Sequence, residues 1–138
     1  MGTRGRQSAA SLSVISGEGV ETIRRPAPPS DLTAEQQDEW RAVVNRMSAD
    51  WFPRETHGML AQYCRHVVAA RRVAQLVEQI EAASDFDIGA YDKALKMQER
   101  EGRAISSLAT RMRISQQATV RAEKARKPAV VKKPWESD

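Results

Sequence analysis

Two stretches of this chain repeat apolar residues at alternating gaps of three and four, a spacing that restricts the fold more than any other feature. In the first, Leu60, Tyr63, Val67, Ala70, Ala74 and Val77 fall along one line of a helix. In the second, Ile88, Tyr91, Leu95, Gln98, Gly102, Ile105, Ala109 and Met112 keep the same alternation. Heptad seams of this kind predict two rods wound slightly left-handed against a partner. Residues 83–89 between them include Ser84, Asp85, Asp87 and Gly89, which favour a turn, so the rods are expected to fold into an antiparallel hairpin. Gln98 and Gly102 interrupt the second seam, where they weaken packing but fix register or admit a close neighbour. Leu60, Tyr63, Val67, Leu95, Ile105 and Met112 are the expected carriers of the fold. Val73, Leu76 and Ile80 widen the apolar surface of the first rod and are the expected contacts between copies.

A shorter helix precedes the hairpin. Thr33 is placed to cap it, Gln36 occupies the capping-box position, and Glu35 and Asp38 suit the positive end of its dipole. Trp40, Val43, Val44 and Met47 then follow the i, i+3, i+4, i+7 pattern of one buried face. Residues 48–52 break the pattern, and Pro53 fits the first turn of the next helix, expected over residues 53–82. Ahead of all this, residues 1–30 read as a Gly-, Ser-, Arg- and Pro-rich arm whose Arg24-Arg25-Pro26-Ala27-Pro28-Pro29 run is extended. Residues 31–120 form the helical domain, and residues 121–138 read as a basic tail, disordered or helical only at its start. No segment alternates over enough residues to predict a strand. The expected class is all-α.

Apolar residues make up 41% of the chain and aromatics 5%, enough for a modest core but a thin one for two or three helices alone. Self-association is therefore expected. No run of about 18 apolar residues spans a membrane, and the N-terminus does not read as a secretory signal. A lone cysteine, Cys64, fits a reducing, cytoplasmic setting. The net charge of +4 is unevenly placed: residues 1–30 carry +2, residues 31–120 carry −1 and residues 121–138 carry +3. Basic ends of this sort seek polyanions.

No catalytic or cofactor motif emerges. Neither GxxxxGK[ST] nor a GxGxxG after a strand is present. His57 and His66 stand nine apart with Cys64 between them, without the i, i+4 spacing of a helical metal site. Cys64 reads as a small buried hydrophobe. The basic residues are more informative. On the second rod, Lys93, Lys96, Arg100, Arg103 and Arg111 share an arc of about 80° with Ser107, opposite the apolar seam. On the first rod, Arg54, Arg65 and Arg72 also lie away from the seam. The tail adds Arg121, Lys124, Arg126, Lys127, Lys132 and Lys133, with Trp135 beside them. These arcs serve either as solubilising faces or as surfaces that track phosphates irrespective of sequence. Trp135 is either an incidental tail residue or an anchor for a protein partner. The turn before Pro53 could also mimic a helix-turn-helix with Arg54, Thr56 and His57 as readers. Trp40, Trp51 and Phe52 argue instead for packing of the short helix on the hairpin.

The order of parts has a counterpart among known proteins. Pro28-Pro29-Ser30-Asp31-Leu32-Thr33-Ala34-Glu35, continuing to Glu39-Trp40-Arg41, resembles the opening of terminase small subunits from tailed phages. Arg113-Ile114-Ser115-Gln116-Gln117-Ala118 is similar to the family's ending, so the resemblance covers roughly residues 26–120. It implies a non-enzymatic subunit without cofactor or metal that assembles into a homo-oligomeric ring through helical hairpins. Such a ring binds double-stranded viral DNA at a packaging start site in the cytoplasm of an infected bacterium. It then hands the DNA to a large terminase subunit with ATPase and nuclease activities. The chain differs from some members in having no evident N-terminal helix-turn-helix. Two other readings suit the same residues: a dimeric helical DNA-binding regulator, and a coiled-coil adaptor whose basic tail binds an acidic protein.

Overall fold

A computed structural model describes residues 23–126. Every regular element among them is helical: α1 (Ala34–Arg46), a 3-10 turn (Arg54–Thr56), α2 (His57–Ala82), α3 (Ile88–Arg111) and α4 (Gln116–Arg126). The α-helices α2 and α3 span about 39 and 36 Å and pack side by side as the long antiparallel pair.

The capping box of α1 is complete. Thr33 Oγ1 accepts from the Gln36 amide at 3.3 Å, and Gln36 Oε1 accepts from the Thr33 amide at 3.0 Å. Trp40, Val43, Val44 and Met47 all turn inward, as their spacing predicts. They join Leu32, Phe52, Leu60, Ala61, Cys64, Met112 and Ile114 in one core at the open end of the hairpin. Residues 25–30, expected to connect a free arm, instead lie against α1. Arg25 donates to the Val44 and Met47 carbonyls, tying off the C-terminal end of that helix, and Trp40 Nε1 donates to the Pro26 carbonyl at 2.9 Å.

Pro53 introduces the 3-10 turn rather than the α-helix itself, which begins at His57. The α2 helix has two partners, and this explains how its burial departs from a single seam. Ala61 and Cys64 face α1, with Val68 one turn further along that side; Val73 and Val77 are the buried residues nearer the turn. Of the expected line, Leu60 and Val77 are buried, while Tyr63, Val67, Ala70 and Ala74 are half-buried.

Helix α3 differs from its expected seam by about one residue over its first half. Ala94 is buried where Leu95 was expected to be, and Glu101 is covered more than Gly102. Ile88, Gln98 and Gly102 are exposed. Ala94 is buried and Ala90 and Ala104 are half-buried on this side of α3, so small residues line it where the larger leucine and isoleucine were expected. The second half keeps the expected residues: Ile105 and Ala109 are half-buried and Met112 is buried.

A Schellman motif ends α3. The Ile114 amide donates to the Ala109 carbonyl at 3.0 Å and the Arg113 amide to Thr110 at 3.1 Å, with Arg113 at φ 56°. Trp51 Nε1 donates to the Met112 carbonyl and Arg46 to the Ile114 carbonyl, pinning this corner to the turn after α1. The chain then continues as α4 through Arg126, so the segment expected to be a tail from Arg121 starts within a helix.

Candidate nucleic-acid interface

The basic arc of α3 is exposed at every position: Lys93, Lys96, Arg100, Arg103, Ser107 and Arg111. Its charges are not equally free. Lys96 is bridged to Asp92 at 2.7 Å and Arg103 to Glu99, both one helical turn away. The hydrogen bond that Lys96 donates to Asp92 holds its ammonium above the usual range. The two carboxylates lie just beyond the edge of the arc, so they escape a reading confined to that sector of the helix. Lys93 and Arg100 have no carboxylate within ion-pair reach among the described residues.

The bases of α2 are more committed. Arg65 pairs with Asp31 at 2.6 Å, Arg71 with Glu39 at 2.6 Å and with Glu35 at 3.8 Å, and Arg72 with Glu35 at 4.0 Å. The bond to Glu39 raises Arg71 above the usual guanidinium range. Arg72 therefore ties α1 to α2, and Arg65 ties the turn before α1 to α2, instead of forming an open phosphate-facing row. Arg54 stays exposed.

Of the readers of the helix-turn-helix alternative, His57 is held by packing and Thr56 by its own turn, while Arg54 is left open. His57 Nε2 donates to the Phe52 carbonyl at 3.1 Å and its ring meets Trp40 edge to face, centroids 5.7 Å apart. Trp40 is fully buried, Phe52 is buried, and the Thr56 hydroxyl donates to the Pro53 carbonyl. His66 Nδ1 meets Glu101 at 2.6 Å across the hairpin. Cys64 is fully buried, and desolvation pushes its thiol up to about 12, which removes it from nucleophilic chemistry near neutral pH. Among the described residues no group of three or more His, Cys, Asp or Glu is placed to hold a metal ion, and no helix is long and apolar enough to cross a membrane.

On α4, Arg121, Lys124 and Arg126 are all exposed. Arg126 turns back over Trp51, its guanidinium 5.8 Å from the ring centroid, 3.3 Å from Ser48 Oγ and 3.8 Å from Asp50. A hydrogen bond from Ser48, aided by the nearby Arg126 charge, holds the Asp50 carboxyl below its usual range. Lys127, Lys132, Lys133 and Trp135 lie outside the described residues. Arg113 was absent from the sequence-based set because it follows the last seam residue and belongs to no arc.

The residues expected between copies divide. Val73 is 7% exposed and belongs to the interior of the protomer, Ile80 is half-buried, and Leu76 is 39% exposed. More apolar surface lies where the sequence reading did not seek it, at Phe86, Ile88, Leu95 and Met97. Ile88 and Leu95 were missed because the seam assignment turned them inward.

No family model matches the chain, and no curated protein or solved structure does either.

Proposed function

We propose that this chain is a DNA-packaging subunit of the terminase small-subunit type, acting as a homo-oligomeric ring in an infected bacterial cytoplasm. The observation that supports this most is the set of apolar side chains left open along the distal hairpin, Leu76, Phe86, Ile88 and Leu95, with Met97 on the other side of α3. Among the described residues the main buried cluster lies toward the opposite end. A helical pair of this build is completed by neighbours, and side-by-side copies would cover that surface. The ring would present the remaining bases of α3 and α4 to duplex DNA and would pass the DNA to an ATPase–nuclease large subunit. Its own residues would supply recognition and no hydrolysis.

DNA binding is tested by titrating salt against affinity for duplex DNA. Removing residues 127–138 deletes Lys127, Lys132 and Lys133. If all three meet phosphates, the log–log slope falls by about 2.7. An unchanged slope assigns the end of the chain to a protein partner, as in the adaptor reading. Failure of the full chain to bind duplex DNA at low salt would remove the packaging assignment.

A further inference from the structure

A groove of about 800 Å³ opens where α3 passes into α4, beside Trp51. Arg113, Arg121, Thr110 and Ser115 line it, and among the described residues no carboxylate does. The two neighbouring depressions differ in this respect: one of about 480 Å³ includes Glu123, and one of about 320 Å³, which Arg113 also borders, includes Asp50. Neither Arg113 nor Arg121 forms an ion pair with a described residue. Two open guanidiniums with two hydroxyl side chains and no competing acid make a surface for phosphate oxygens.

The backbone adds an independent argument. Arg113 occupies the left-handed position of the Schellman motif at φ 56°, where glycine bears no steric penalty. Strain at a non-glycine residue is a pointer from geometry to function. Arg113 lines the groove on a corner already fixed by Trp51 Nε1 bonded to the Met112 carbonyl.

We infer that the α3–α4 groove is a phosphodiester clamp, in which Arg113 and Arg121 hold backbone phosphates of nucleic acid. The inference rests on the DNA-binding reading above but moves the main contact from the outer face of α3 to this corner. The experiment compares duplex DNA binding by the full chain, Arg113→Gly, Arg121→Gln, and Lys93→Gln with Arg100→Gln, each across a salt series. Arg113→Gly is expected to keep or raise the melting temperature, since glycine relieves the backbone, yet to lower affinity about eightfold at 0.1 M salt, with the slope reduced by about 0.9. Arg121→Gln is expected to do the same to binding, and the α3 pair to change it less. Equal binding by the full chain, Arg113→Gly and Arg121→Gln overturns the clamp while leaving DNA binding intact. No binding by the full chain overturns both. Competition by ATP at concentrations where inorganic phosphate has no effect would mark a nucleotide pocket and overturn the backbone assignment.

Discussion

Cys64 has no exposed surface, and desolvation raises its thiol from the ordinary 9.0 to about 12. The folded value lies above the unfolded one, so the associated stability is fully present below about pH 9 and is lost as pH climbs toward 12. The slope in that window is about 1.4 kcal/mol per pH unit. Denaturant titrations at pH 8, 10 and 11 should therefore show a steeper alkaline loss in the natural chain than in Cys64→Ala; parallel losses would contradict the assignment. The thiol should also resist a disulfide reagent at pH 8 until the chain unfolds. At this scale the sequence spoke clearly wherever one residue and its near neighbours decide the outcome. Cys64, Trp40 and Phe52 read as packing residues and pack. Arg113 did not stand out, because a helix stop is ordinarily announced by glycine and this one carries a charge.

Helix α3 starts at Asp87, whose Oδ1 accepts from the Gly89 amide at 2.9 Å and the Ala90 amide at 3.1 Å. Asp87→Ala should cost about 1 kcal/mol and lower the melting temperature by a few degrees; no change would show that the turn, not the cap, sets the helix start. Element boundaries of this sort were legible because caps and turns are local. The capping box of α1, its buried face and the turn between α2 and α3 all follow from nearby residues. Which side of α3 meets α2 was not legible, since a seam drawn through the largest apolar residues passes over the alanines that line that side. Helix α4 was silent for a related reason: Gln116, Ala118, Thr119 and Arg121 offer no apolar stripe to read.

At the scale of the whole protomer, the described residues close a core at one end and leave apolar side chains open toward the other. Leu76 and Leu95 are 39% and 38% exposed, so charges there should disturb the fold of one protomer little while striking any contact between copies. Burying the part of each that is still exposed would contribute roughly 0.6–1.2 kcal/mol, about 0.4 of the figure for a fully exposed leucine. Leu76→Glu with Leu95→Glu should therefore weaken assembly at least tenfold, with helix content by circular dichroism nearly unchanged; an intact assembly would move the contact elsewhere. The charge balance of the candidate site belongs to this scale too. The basic arcs were visible in the sequence, but the carboxylates that occupy Arg65, Arg71 and Arg72 come from α1 and the turn before it, more than 30 residues away. The most direct measurement is the molar mass of the full 138-residue chain by light scattering during size exclusion, at micromolar concentration and moderate salt. A homo-oligomeric ring predicts a mass several times 15.4 kDa and larger than a dimer. A dimer would favour the DNA-binding regulator, and a well-folded monomer of 15.4 kDa would contradict the account.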